Sequence, residues 1–416
     1  MISGLGTHVH QLVQGLNTNH YEVFVFAYNP NLNSTVRDKN ITVHLISPRD
    51  KVEDLRKTLD IREINSLNDQ IVQHSSDFFS QCSPPDLIHC HDWLAFSAAK
   101  TLRQLFQSPI VTTVHFLEEW TAGRNGKYHM RDFVEVQSKM FKMSDAIITV
   151  SQFMKREIER IDGVDPNRVH VVYNGVDTAQ IAVSGANAAE LEAIKREYAP
   201  NGEKIVLFAG RVDYMKGVSA LLISASRVLE HLDDTIYLIA GECLPGDYTD
   251  IVFSLAQNLP RLNGRIRFLG KIPKRQLFQL YYAADVVVVP SIHEAFGYVA
   301  AEAMAAGVSV IASNTGGLSE LIEHRKNGFL IPLNKDNKGH YSIDIMKLAD
   351  AQIELLQDEA LRLRLGLAGQ QLVTSNFTLR NMINATTNIY NNLPDSVSRS
   401  FQSKPPDGSN EIHSRQ

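Results

Sequence analysis

Short apolar runs recur along this chain, separated by longer segments with helical spacing. The first half offers strand-like runs at 22–27, 41–46, 86–89, 110–115, 146–150 and 169–173. The second half offers 204–209, 235–240, 265–269, 285–290, 308–312 and 329–332. Many are continuous rather than alternating, which suits strands buried on both faces. Strands alternating with helices predict βαβ units and parallel sheets, an α/β fold. The pattern breaks after Asn174-Gly175-Val176-Asp177, a turn signal, and resumes after a short predicted helix over 188–197 and a Pro200-Asn201-Gly202 turn. A boundary here predicts two Rossmann-like domains, 1–177 and 178–375, facing across a cleft. Such clefts are favoured ligand sites. Residues 345–393 are helical in pattern, and 394–416, rich in Ser, Pro, Asp and Lys, reads as a disordered tail.

The amino terminus departs from the rhythm. Ser3-Gly4-Leu5-Gly6-Thr7-His8-Val9-His10 reads as a glycine-rich loop opening a helix that runs through Leu16. In a doubly wound sheet such a loop follows the first, central strand. Only Met1 and Ile2 precede it. The expectation is an amino-terminal domain lacking that strand, through a misassigned start or a truncation. An apolar in-frame segment upstream in the DNA would support it, and a stop codon just before Met1 would refute it.

With 416 residues, two or three domains are expected. The apolar fraction of 44% and charged fraction of 21% are those of a globular protein. A net charge of −5 gives no electrostatic case for nucleic acid as the main partner. There is no signal peptide before the first helix and no apolar run long enough to span a membrane, so a cytoplasmic protein is expected. Cys82, Cys90 and Cys243 are scattered and read as reduced thiols.

Chemistry concentrates at three places. The predicted strand 285–290 runs into Ser291-Ile292-His293-Glu294-Ala295-Phe296-Gly297, then an alanine-rich helix holding Glu302 and ending at Gly307. Acids at a sheet's carboxyl edge repel phosphate and suit sugar hydroxyls, while the helix start near Gly297 offers amides to a phosphate. The plainer alternative makes Glu294 a helix cap and Glu302 an exposed helical residue. The second place is Gly210-Arg211-Val212-Asp213-Tyr214-Met215-Lys216-Gly217, where two cations after a strand suit a diphosphate. Here the alternative is a solvated surface pair. The third is Asp86-Leu87-Ile88-His89-Cys90-His91-Asp92-Trp93. Its His-x-His pair would suit zinc, but no third ligand has an obvious spacing, so no metal is expected.

Together these segments resemble retaining glycosyltransferases of the two-domain GT-B fold, family 4 and the glycogen/starch synthases in particular, over roughly residues 1–393. Glu294 and Glu302 match an E-x7-E signature, which implies that Glu294 approaches the donor hexose and Glu302 holds the nucleotide ribose. Arg211 and Lys216 match an R-x4-K pair on the donor diphosphate. Asn314-Thr315-Gly316-Gly317-Leu318-Ser319-Glu320 resembles the glycine turn beside the donor, and Gly4-Leu5-Gly6-Thr7-His8-Val9 the loop that faces its phosphates. His91 and Asp92 in the H-x-H-D-W string, with Arg124 in Gly123-Arg124-Asn125-Gly126, resemble acceptor-side elements. His115 matches a histidine near the reacting sugar carbon, with a satisfied buried histidine as its alternative. The resemblance also implies a helix over 376–393 returning to the first domain.

Thus the implied donor-binding set is Gly4, Gly6, Phe296, Gly297, Glu302, Thr315, Gly316 and Gly317, and the catalytic set is His115, Arg211, Lys216 and Glu294. The implied reaction moves a hexose from a nucleotide-diphosphate sugar to a glycan, polysaccharide or lipid acceptor, with retention and no cofactor. No Asp-x-Asp motif sits at a strand end to hold a bridging metal. A lipid acceptor would bring the protein to a membrane surface, although no basic amphipathic stretch is clear. The chain lacks the lysine that bacterial glycogen synthases carry in the first glycine loop, and Leu379 stands where many family members have an aromatic. Competing readings are a glycogen/starch synthase-like glucosyltransferase, an epimerase or phosphorylase on the same fold, a nucleotide-sugar binding protein without turnover, and an NAD-dependent dehydrogenase. The last lacks a third glycine and an acid after the next strand.

Overall fold

The computed structural model describes residues 4–17, 21–29, 31–47, 61–122, 129–185, 187–243, 246–337 and 339–393. Met1-Ile2-Ser3, Arg124 with its loop, and the tail 394–416 lie outside the described residues. The first half contains two sheets. One has β1 (Val23–Tyr28), β2 (Ser34–Asp38) and β3 (Ile41–Ile46) in the order β1-β3-β2. The other has β4 (Ile88–His91), β5 (Ile110–Val114), β6 (Ala146–Thr149) and β7 (Val169–Val171), all parallel and in chain order. Among the described residues β1 pairs only with β3, β4 only with β5, and no strand precedes the helix Gly4–Leu16.

The second half is built on a six-stranded parallel sheet, beside a two-stranded antiparallel ribbon of Leu333–Lys335 and Tyr341–Ile343. The strands of the sheet are β8 (Lys204–Ala209), β9 (Thr235–Ala240), β10 (Ile266–Gly270), β11 (Val286–Val289), β12 (Ser309–Ser313) and β13 (Phe329–Ile331). They lie in the order β10-β9-β8-β11-β12-β13. All four valines of β11 are buried, and each such side chain contributes about 1.5–3 kcal/mol on leaving water. Helices on both faces supply that burial, which is why these strands read as continuous apolar runs. The chain builds outward from β8 in one direction, then returns to build outward from β11 in the other. The strand order therefore reverses between β8 and β11, and the crevice at such a reversal is where open α/β sheets bind ligands.

Two expectations need correcting. Gly4 and Gly6 are not in a loop: both lie in the first turn of the helix Gly4–Leu16. The sheets are also not wholly parallel, because β2 runs antiparallel to β3. The polar sequence Ser-Thr-Val-Arg-Asp of β2 hid it, since four of its five residues are exposed at a sheet edge. The helix Leu379–Asn391 crosses back to the first half. A Cβ on Gly15 would lie 2.0 Å from Ile383 Cδ1, so the two helices meet there with no room for a side chain. The Tyr390 hydroxyl pairs with His89 Nδ1 at 2.5 Å. No helix among the described residues is long and apolar enough to cross a membrane.

Candidate active site

The loops after β8 and β11 face each other at the strand-order reversal and interlock. The first turns through Gly210 (φ 144°), carries Arg211, and is closed by Asp213, whose side chain accepts from Lys216 N at 3.1 Å. Gly217 (φ 69°) then starts the helix Val218–Val228. A Cβ there would lie 2.0 Å from the Pro290 carbonyl oxygen, so only glycine lets the loops approach. The result is an ion pair between predicted partners of different groups: Lys216 Nζ sits 2.7 Å from Glu294 Oε2. The Ser291 hydroxyl donates to the same carboxylate oxygen at 3.1 Å. Arg211 pairs with Asp213 at 3.1 Å, with its side chain 60% exposed.

A third loop clamps the second. Gly317 N donates to the Glu294 carbonyl at 2.9 Å, and the Thr315 hydroxyl to the Ile292 carbonyl at 3.0 Å. A Cβ on Gly316 (φ 50°) would fall 1.9 Å from Glu294 O, and one on Gly317 2.5 Å from Phe296 Cα. Gly316→Ala is expected to cost about 2 kcal/mol or more, from left-handed strain plus displacement of the Glu294 backbone. Urea denaturation would show the loss, and an unchanged midpoint would refute the clamp. Gly297 (φ 110°) caps the helix Tyr298–Ala305 through its backbone, so Glu294 is not a cap. The Phe296 ring is buried against Tyr298 and Phe377, leaving its backbone for the site. Nor is Glu302 exposed. It is buried, accepts from the Tyr281 hydroxyl at 3.3 Å, and lies 3.4 Å from Lys274 Nζ. Burial raises its acid above the usual carboxylate range, against the pull of Lys274.

In the first half, the ends of β4 and β5 and the helix Gly4–Leu16 assemble a cluster of histidines. His91 Nδ1 lies 3.3 Å from His115 Nε2. His8 packs edge-on against both rings, and His89 stacks on His91. Burial lowers all four, His8 to about 4 and His89 to about 3, so each is a neutral imidazole at neutral pH. Asp92 holds the cluster in place: its Oδ1 accepts His115 N at 2.7 Å from a backbone at φ 56°, ψ 178°. Such a conformation is costly for a residue with a side chain and is typical of functional sites. Burial lifts the Asp92 carboxyl to about 7. The spacing of His89 and His91 offered no third residue of ligand type, but the fold brings two further histidines beside His91. Ligand atoms of His8, His91 and His115 all lie within 4.8 Å of one another.

The two halves touch at Gly4 and through residues to which the sequence assigned no individual role. Glu320, three residues past the glycine pair, accepts from Gln152 N at 2.9 Å, Phe153 N at 2.6 Å and the Tyr173 hydroxyl at 2.9 Å. Trp120 stacks on His293, next to Glu294, with ring centres 5.4 Å apart. Gly4 lies against the Tyr298 ring, whose buried hydroxyl has no hydrogen-bond partner among the described residues. Asn174, read only as part of a turn, holds His8. The glycine-rich strings around Glu320 and His8 were the available signal, but spacing along the chain does not show which loops will meet.

Two family models match this chain in succession: Glycosyltransferase Family 4 over residues 2–180 and Glycosyl transferases group 1 over residues 190–372. A glycogen synthase of Mycobacterium tuberculosis is 31% identical over 310 residues, covering 74% of this chain and 68% of that protein. Sucrose-phosphate synthase from Thermosynechococcus elongatus shares the fold with a TM-score of 0.79 at 24% identity, over 94% of this chain and 93% of that one. The Anabaena protein HepE, solved with UDP and glucose, has a TM-score of 0.73 at 19% identity, over 94% and 96% of the chains. The chain belongs to the GT-B glycosyltransferases of the family 4 type, with two Rossmann-like domains.

Proposed function

We propose that this chain transfers a hexose from a nucleotide-diphosphate sugar to an acceptor hydroxyl with retention of configuration. One observation carries the reading: a cation suited to a diphosphate and an acid suited to a sugar are bonded to each other at 2.7 Å, at the reversal point of the donor-side sheet. The diphosphate takes Lys216 and Arg211 as its counter-charges. Lys216 then exchanges its bond to Glu294 for one to phosphate oxygen, freeing Glu294 for a sugar hydroxyl. The bond from the sugar's anomeric carbon to phosphate oxygen breaks, and the acceptor oxygen bonds to that carbon from the same face. The acceptor's proton passes to the departing phosphate oxygen. Neutral imidazoles of His115 and His91 line the sugar without adding charge beside the cationic transition state. Glu302, buried with Tyr281 and Lys274, is the reserve of polar groups for the nucleotide ribose. The likeness to a glycogen synthase favours glucose as the sugar, and UDP in the HepE complex favours a uridine donor.

A screen of UDP-, ADP- and GDP-sugars for release of nucleoside diphosphate tests the donor, and NMR of the product anomer tests retention. An inverted product would overturn the mechanism. Donor binding by calorimetry without transfer, across a broad acceptor set, would favour a binding protein instead. Because protein cations neutralise the diphosphate, EDTA is expected to leave unchanged the rate of enzyme freed of transition metals and assayed with Mg2+. A rate that collapses with EDTA and returns with Mg2+ would contradict that assignment.

A further inference from the structure

The histidine cluster has the makings of a second binding function. We propose that His8, His91 and His115 form a three-nitrogen tripod for one borderline divalent transition-metal ion of the Zn2+ class, which closes the cleft to substrate when bound. The distance between His91 Nδ1 and His115 Nε2 is 3.3 Å. That matches the edge of a tetrahedron built on Zn–N bonds, about 3.3 Å for bonds of about 2.0 Å. His8 contributes the third corner. It is 1% exposed, and its Nε2 has no hydrogen-bond partner among the described residues. Its Nδ1 lies 2.8 Å from the Asn174 side-chain oxygen. That oxygen can only accept, so Nδ1 carries the proton and Nε2 presents a lone pair. An outer partner that fixes the tautomer of a ligating histidine is characteristic of metal sites.

The neighbouring groups define the set. His89 is excluded, because Nδ1 is taken by the Tyr390 hydroxyl at 2.5 Å and Nε2 by the Thr113 hydroxyl at 2.7 Å. The proton between His91 and His115 moves, on binding, to the other nitrogen of the ring that carries it. An all-imidazole donor set selects Zn2+, Cu2+, Ni2+ or Co2+ over Mg2+ and Ca2+. Three protein ligands leave a fourth position for water. Because His115 and His91 are also assigned to the sugar, a bound ion excludes the donor. The inhibitory consequence rests on the transferase reading above; the binding itself does not.

The test uses metal-free full-length chain and titrates Co2+, whose four-coordinate complexes absorb strongly in the visible. Zn2+ affinity follows from competition with a chromophoric chelator. The expected result is one ion per chain with intense Co2+ absorption, lost in His8→Ala. Asn174→Ala, which keeps all three ligands, is expected to bind about 10- to 100-fold more weakly. Circular dichroism establishes that each variant is folded. The site is overturned by sub-stoichiometric binding, by the weak absorption of six-coordinate Co2+, or by binding unchanged in both variants. Stoichiometric Zn2+ is further expected to abolish transfer reversibly, with EDTA restoring it. Tight binding that leaves transfer intact overturns the occlusion. Absence of transfer in metal-free chain with every donor, alongside tight binding, counts against the transferase reading and not the site.

Discussion

Removing Lys216 or Arg211 by substitution with alanine is expected to lower turnover by about 10²-fold or more, because in the proposed reaction each supplies a fixed positive charge where the leaving diphosphate develops negative charge. The two variants should separate in stability. Arg211 is exposed and paired with its near neighbour Asp213, so Arg211→Ala is expected to leave the unfolding midpoint within about 0.5 kcal/mol of the parent. Lys216 and Glu294 are largely buried, with side chains 26% and 17% exposed. Lys216→Ala leaves the Glu294 carboxylate with Ser291 alone and is expected to cost stability as well as turnover. Adding Glu294→Ala to Lys216→Ala should return much of the stability while leaving turnover low. The measurements are steady-state release of nucleoside diphosphate and urea denaturation of the parent and the three variants. Near-normal rates in either single variant would remove that cation from the site.

The pairing of Lys216 with Glu294 shows where reading a sequence succeeds. Strands β3, β8 and β9 matched their predicted spans; β8 and β9 are apolar runs covered on both sides, so composition alone marks them, while β3 is half-buried at Val43, His44 and Leu45. The residues after β8 and β11 stood out because strand ends in such sheets carry ligand-binding loops. That the two loops bond to each other depends on β8 and β11 being neighbours, a long-range fact with no local signature. The same limit explains the helix start at Gly4 and Gly6. Two glycines in three residues signal a loop when judged by propensity, yet here the chain continues as helix against Tyr298 of the other half. The histidine cluster was illegible for the same reason. His8, His91 and His115 come from three elements whose closeness is fixed by tertiary packing.

Glu320 shows how that packing reaches the chemistry, and its removal is the second large effect expected. The helix Gln152–Glu159 begins in the first half, and its Ser151 side chain satisfies only Met154 N. The amides of Gln152 and Phe153, which precede it, are satisfied by Glu320 from the second half, at 2.9 and 2.6 Å. A helix start carries unpaired N–H groups and partial positive charge, so an incoming carboxylate is favoured there. Glu320 follows the Gly316-Gly317 turn that clamps Glu294. It therefore ties the Gly316-Gly317 loop of the second half to the first half. Glu320→Ala breaks three hydrogen bonds and is expected to cost about 1–2 kcal/mol at the helix start. It is also expected to lower kcat/KM by about 10- to 100-fold through misplacement of the donor loop. Because Glu320 bonds to Gln152, Phe153 and Tyr173 and has no part in the proposed reaction, the loss should appear in donor KM at least as much as in kcat, and small-angle scattering should show a larger radius of gyration. Glu320→Gln retains an oxygen that can accept from Phe153 N and should recover part of both effects. A Glu320→Ala enzyme with unchanged KM and unchanged dimensions would mean that closure is held elsewhere, by Trp120 on His293 or by Gly4 on Tyr298.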